Sequence, residues 1–277
     1  MKNLYITDLD HTFLHSNQRV SSYSKTVWNK KANKAILSVA TARSFSKTHE
    51  FLEGLSLKAP LILLDGAMVA TTEKKLLSIK TLDKALGDAI IAESTKFKIY
   101  PFVISLNDHK TLNETFAIPP VLNEYQSYLI QNNYATDKRL SFVQKIEGVK
   151  DTLKMVYMGE ESVLRPLYEH LKQVFEKNIE LKLAPENYMK CYFLTILHPL
   201  GDKAHALETV HEYLKCSLEE TTVFGDSIND IGMFKLAGTA VAVANALNEV
   251  KEIATIILEE SNDEDAVAKY LQNTIKN

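Results

Sequence analysis

The stretch Asn3-Leu-Tyr-Ile-Thr-Asp-Leu-Asp-His-Thr12 decides how this chain folds. Its first half is a short apolar run that ends in charge, as a strand buried in a parallel sheet does. Two carboxylates two residues apart, Asp8 and Asp10, follow at once. In an open α/β sheet, ligands bind just beyond the carboxyl ends of the strands. Two carboxylates there can share a hard cation, and one can attack an electrophile while the other handles protons. An acidic strand-end turn, with Thr12 capping the helix that follows, accounts for the same residues without chemistry.

Outward from this segment, apolar runs alternate with helical stretches. Helical sequence around Ser24–Lys34 precedes a second run, Ala35-Ile-Leu-Ser-Val-Ala40. A helix over Phe45–Leu55 leads to a third run, Pro60–Leu64, which closes on the turn pair Asp65-Gly66. From Lys203 the alternation returns: a helix to Lys215, a strand Thr221–Phe224, a helix Asn229–Leu236 and a strand Thr239–Val243. A helix Leu247–Ile253, a strand Thr255–Leu258 and a helix Glu264–Ile275 follow. Such alternation predicts βαβ units and a mostly parallel sheet.

The middle reads differently. A helix over Leu82–Phe97 and a strand over Ile99–Leu106 precede polar, aromatic-bearing sequence that runs to about Gly148. Then come strands at Thr152–Met158, Ile179–Ala184 and Lys190–Leu197, with one helix, Glu161–Lys177, among them. Several strands with few helices predict an α+β unit with an antiparallel sheet. The expected layout is a discontinuous core, residues 1–82 and 193–277, carrying a second domain inserted at 83–192.

Composition limits the partners. The 277 residues, 45% hydrophobic and 24% charged, have ordinary globular make-up and enough apolar material for two modest domains. Lys plus Arg is 32 against 35 Asp plus Glu, with no basic block, which argues against a phosphate-backbone binder and so against nucleic acid. Cys191 and Cys216 form no metal-ligand or disulfide pattern. Asp8 and Asp10 would fall inside the apolar part of any signal peptide, and the longest nearly apolar stretch, Ala237 to Leu247, is far short of the ~20 residues of a membrane helix. The expectation is a cytoplasmic protein with no membrane partner; its oligomeric state is not legible.

Three further polar clusters stand beside the first. Thr41-Ala-Arg43-Ser44 follows the second strand, where a hydroxyl and backbone N–H groups at a helix start make an anion site, with Arg43 a nearby cation. Lys203 opens the first helix after the insertion. Gly225-Asp226-Ser-Ile-Asn229-Asp230 ends the Thr221–Phe224 strand and supplies more oxygen ligands. Each alone also has a reading without chemistry, as a capped helix with surface charge or as turn and cap residues. Doubly wound topology, however, brings all four to one sheet edge, and no GxSxG, Walker loop, GxGxxG or HExxH competes with them.

This ordered set resembles the haloacid dehalogenase-like hydrolases, in the Cof-type branch of phosphatases with a large α/β cap. The likeness covers nearly the whole chain, including Ala244-Asn245-Ala246 with Lys251, and Asn262-Asp-Glu-Asp265. It implies an α/β fold: a doubly wound, mostly parallel Rossmann-like core sheet with the insertion as an α+β cap that sets substrate specificity. It also implies a Mg²⁺-dependent phosphoric monoester hydrolase acting on small phosphorylated metabolites, sugar phosphates first among them, through an aspartyl-phosphate.

By the same resemblance, Asp8 is the nucleophile and Asp10 the acid/base. The Asp8 and Asp226 carboxylates and the Asp10 main-chain carbonyl hold Mg²⁺. Thr41, Lys203, Asn229 and the N–H groups of Leu9 and Ala42 clamp the phosphoryl oxygens, with Arg43 beside them. Thr12 supports, and Asp230 orients Lys203 or a metal-bound water. A phosphosugar mutase and a non-catalytic ligand sensor on the same fold are the alternatives. Four positions depart from the family pattern: His11, Ala42 and Ala204 stand where it has Gly, and Asp65 where it has Asn. Alanine is harmless wherever φ is negative. His11 either leaves the pocket, crowds it or contacts substrate.

Overall fold

The computed structural model describes residues 3–276. The chain divides into two compact units, Met1–Ser78 with Asp202–Asn277, and Ile79–Gly201. The expected divisions are at 82/83 and 192/193; the second falls later because a strand over Cys191–Leu197 is bonded wholly into the inserted sheet.

In chain order the discontinuous unit begins with β1 (Leu4–Thr7), α1 (Ser22–Lys31), β2 (Ile36–Val39), α2 (Phe45–Phe51), β3 (Leu61–Leu63) and β4 (Met68–Ala70). A short strand β5 (Leu76–Ile79) leads out of it. The inserted unit contains α3 (Lys84–Thr95), β6 (Phe102–Asp108), β7 (Asn113–Ile118), α4 (Glu124–Asn133), β8 (Leu140–Phe142), β9 (Thr152–Gly159), α5 (Glu161–Phe175), β10 (Glu180–Glu186) and β11 (Cys191–Leu197). The chain then returns through α6 (Lys203–Leu214), β12 (Thr221–Gly225), α7 (Ile231–Leu236), β13 (Thr239–Ala242), α8 (Asn248–Lys251), β14 (Ile256–Ile257) and α9 (Ala266–Thr274).

The core sheet runs β14-β13-β12-β1-β2, all parallel. An isolated parallel bridge, Ala40 to Ile62, and the Thr41 N–H to Ile62 carbonyl bond (2.9 Å) carry β3 alongside β2. Strands β1, β12 and β13 are covered on both faces, with Leu4, Ile6, Val223, Phe224 and Val241 fully buried, which is why they read as unbroken apolar runs. β1 pairs with β12 and β2 at once, Thr7 opposite Phe224 and Val39. That register sets Asp8 level with Gly225-Asp226 and with Ala40-Thr41, so three of the four polar clusters share one edge.

No helix follows Thr12 directly. The chain turns through residues 10–13, and α1 starts at Ser22 with Ser21 as its cap, so the helix-capping role for Thr12 does not hold. The inserted unit is a six-stranded sheet, β10-β11-β9-β6-β7-β8, antiparallel except for the β7–β8 pair. Helix α5 lays Leu164, Leu167, Leu171 and Phe175 against it at helical spacing, joined by Ile90, Val103, Met155, Tyr157 and Leu194. Among the described residues no helix is long and apolar enough to cross a membrane.

Candidate active site

Asp8 leaves β1 buried, its N–H donating to the Phe224 carbonyl at 3.0 Å. Its Oδ1 accepts from Lys203 Nζ at 2.6 Å, and the same ammonium donates to Asp230 Oδ1 at 2.7 Å. Lys203 is fully buried at the first position of α6, where Asp202 caps the helix by accepting from the His205 N–H. The other oxygen of Asp230 accepts from the N–H groups of Asp226 (3.0 Å) and Ser227 (3.1 Å). Asp230 is thus committed at both ends, and it fixes Lys203 to the tip of β12. Gly225 permits this: a Cβ there would lie 2.5 Å from the Asp230 carboxyl carbon.

Thr12 donates to Asp226 Oδ1 at 2.7 Å, which replaces its expected cap with a hold on a carboxylate. Oxygens of Asp8, Asp226 and Asp230 all lie within 4.8 Å of one another. Burial raises Asp8 well above the usual carboxylate range; Lys203 opposes this, and Asp230, Asp226 and Asp10 add to it. Burial, then repulsion from Asp230, pushes Asp226 up to about 8. Lys203 is held protonated far above its ordinary range, because Asp230 and Asp8 outweigh the cost of burying its charge. Three carboxylates against one ammonium leave two negative charges when all are ionised. That is the charge of one divalent cation, in a setting of hard oxygen donors, so the donor set fits Mg²⁺.

On the β2 side, Thr41 is buried, and its Oγ1 accepts from the Arg43 N–H at 3.1 Å. Its carbonyl accepts from the Asp65 N–H at 3.0 Å. Arg43 lies 4.0 Å over the Phe51 ring and places its fork on Asp10, with Nε to Oδ2 at 2.7 Å. The cation expected for an anion site is therefore engaged with the second carboxylate of the first motif. Asp10 is half-buried and stands outside the three-carboxylate cluster. Asn229 Nδ2 donates to Asp65 Oδ1 at 3.0 Å.

The four departures sort by backbone. Ala42 and Ala204 are not among the left-handed residues, so a methyl group costs nothing there. His11 has φ +57, a conformation natural to glycine and tolerated by His better than by most residues. Its ring is partly buried, and that burial lowers its pKa against the pull of Asp10 and Asp263. Leu64, Asp65 and Gly66 are left-handed in succession (φ +53, +63 and +113). A Cβ on Gly66 would lie 2.1 Å from the Asp202 carbonyl, so this turn is the floor under the start of α6.

The sequence motifs passed over two contacts. Asn245 Nδ2 donates to the His11 carbonyl at 2.7 Å, and Asn262 Nδ2 to the Leu14 carbonyl at 2.9 Å. Both asparagines were visible only as echoes of a pattern, since backbone acceptors more than 200 positions away leave no local signal.

A family model of haloacid dehalogenase-like hydrolases matches residues 5–271, and the chain belongs to that family. Among its relatives, the 5-amino-6-(5-phospho-D-ribitylamino)uracil phosphatase YwtE of Bacillus subtilis is 25% identical over 97% of this chain and 96% of its own length. Phosphatase YwpJ of the same organism is 25% identical over 98% and 99%. The fold is shared with a solved haloacid dehalogenase-like hydrolase from B. subtilis at a TM-score of 0.80, 21% identity and coverage of 98% and 99%.

Proposed function

We propose that this protein is a Mg²⁺-dependent phosphatase of small phosphorylated metabolites, with a phosphorylated sugar or sugar alcohol as the favoured substrate. The observation that carries it is the Asp8 carboxylate, buried at the end of the central strand and 2.6 Å from the Lys203 ammonium within a ring of carboxylates. Support for the substrate class comes from relatives named for a phosphoribityl ester and from a fold neighbour described as a sugar phosphatase.

In this reading an Asp8 oxygen attacks phosphorus, and the P–O bond to the leaving group breaks as Asp10 gives the departing oxygen a proton. Asp10 then takes a proton from water. That water attacks phosphorus and releases phosphate, which restores Asp8. Lys203, Asn229, the Thr41 hydroxyl and the N–H groups of Leu9 and Ala42 hold the phosphoryl oxygens, so the work is mostly positioning and charge. Arg43 pairs with both oxygens of Asp10, so it must yield one of them before Asp10 can give its proton. The Asp8 and Asp226 carboxylates, with the Asp10 carbonyl, would hold Mg²⁺, while Asp230 anchors Lys203. Bound there, the cation offsets repulsion between Asp8 and a dianionic phosphoryl group. The inserted unit is assigned the choice of substrate.

The test is phosphate release across sugar and sugar-alcohol phosphates, nucleotides and pyridoxal phosphate, with and without EDTA. Asp8→Asn, which preserves shape, is expected to retain less than about a hundredth of the activity. Turnover in that variant, or after exhaustive chelation, would overturn the assignment. Formation of an isomeric sugar phosphate in place of free phosphate would point to a mutase.

A further inference from the structure

We propose that Asn245 is a positioning residue for Asp10, acting through the backbone of His11; this rests on the phosphatase reading above. Immediately after Asp8 the chain doubles back on itself. The Leu9 carbonyl accepts from the N–H groups of Thr12, Phe13 and Leu14 at 3.3, 3.0 and 2.8 Å. A turn this tight puts His11 at φ +57, a conformation that costs a residue with a Cβ some free energy.

Asn245 is part of that hold. Its Nδ2 donates to the His11 carbonyl at 2.7 Å, while its Oδ1 accepts from the Asn262 N–H at 2.9 Å. Asn262 in turn donates through Nδ2 to the Leu14 carbonyl at 2.9 Å and is buried. The path from His11 through Asn245 and Asn262 to Leu14 therefore clasps the turn at two points. Asp10 lies between the Leu9 carbonyl, held by three N–H groups, and the His11 carbonyl, held by Asn245, so the backbone on both sides constrains the direction in which its side chain leaves. Arg43 then holds the far end of that side chain.

The chemistry selects Asn at 245. The amide donates to one backbone group and accepts from another at once, whereas a carboxylate can only accept. Asn245→Asp accordingly keeps the bond from Asn262 and loses the bond to His11. Asn245→Ala loses both.

The experiment uses the full chain with Mg²⁺ and two esters. One is p-nitrophenyl phosphate, whose leaving group departs without a proton, and the other is the best sugar phosphate from the substrate panel. In Asn245→Ala, kcat on the sugar phosphate is expected to fall up to about tenfold, the worth of one hydrogen bond. On p-nitrophenyl phosphate the expected change is less than about threefold, with KM unchanged on both, since only proton delivery is impaired. Asn245→Asp should follow Asn245→Ala. Amide hydrogen exchange in the absence of substrate should show faster exchange at Thr12, Phe13 and Leu14 in both variants, with β1 unaffected.

Equal losses on the two esters, Asn245→Asp behaving as wild type, or unchanged exchange in the turn would each overturn the proposal while leaving the phosphatase reading in place. A wild-type chain inactive on both esters, with an intact fold, would overturn the two together.

Discussion

Raising the pH of the metal-free protein is expected to weaken its fold, an effect centred on Asp8 and Asp226. Both are buried beside Asp230, and burial with mutual repulsion holds both above the usual carboxylate range, Asp226 at about 8. In the unfolded chain an aspartate titrates near ~4. Between these limits the folded state keeps protons that the unfolded state has released. Stability from this source is complete below pH ~4 and is lost as pH rises towards 8, by about 1.4 kcal/mol per pH unit for each proton retained. One proton held over three pH units amounts to about 4 kcal/mol, a large share of the 5–15 kcal/mol that keeps a domain folded. Urea unfolding at fixed steps from pH 5 to pH 8 in EDTA measures it, with Asp226→Asn as the reference that cancels other titrating groups. The wild type should lose stability relative to the variant as pH rises, and saturating Mg²⁺ should reverse the trend, because the cation competes with the retained protons. A wild-type profile parallel to that of Asp226→Asn would refute the reasoning.

Lys203→Met removes the ammonium bonded to both Asp8 and Asp230 and leaves their carboxylates buried without it. The expected loss is on the order of 3–5 kcal/mol at pH 8 without metal, much of it recovered at pH 5; thermal melts at the two pH values check this, and equal losses would contradict it. Gly66→Ala meets both an unfavourable φ of +113 and a Cβ 2.1 Å from the Asp202 carbonyl, so the start of α6 must move. Phosphatase activity should fall tenfold or more, since even a 1 Å misplacement at a site can cost about a hundredfold. Retained activity with an unchanged melting temperature would show that the Gly66 turn does not support Lys203.

What the sequence displayed and what it concealed follow from where the physical signal lies. The core strands were legible because burial on both faces makes them unbroken apolar runs, and the candidate site because its residues sit at the ends of those runs. Segments of the inserted unit were not. Helix α4 has a capping box at Asn123 and Gln126, yet Gln126 is its sole buried residue among those described, so no apolar stripe announces it. Strand β8 is three residues long with an exposed Phe142, and β7 carries mixed polarity; both depend on partners rather than on pattern. The role of Arg43 was hidden for a different reason. A cation after a strand reads as an anion site, and only the tertiary structure places a carboxylate within its reach.

The central pair of the core sheet joins residues more than 200 positions apart, Leu4 to Thr221 and Thr7 to Phe224. On the ribosome the first strand therefore emerges long before its neighbour exists. The six-stranded sheet made in between pairs only within itself, so it can close while Asp8 still waits. Ordering that intervening stretch shortens the gap which β1 and β12 must close, and so lowers the entropic cost of bringing them together. The acidic cluster, costly to bury without a counter-charge, cannot form until Asp226 and Asp230 are made, and by then Lys203 is already in the chain. A nascent chain thus meets the repulsion of that cluster only after the lysine that offsets it has been made.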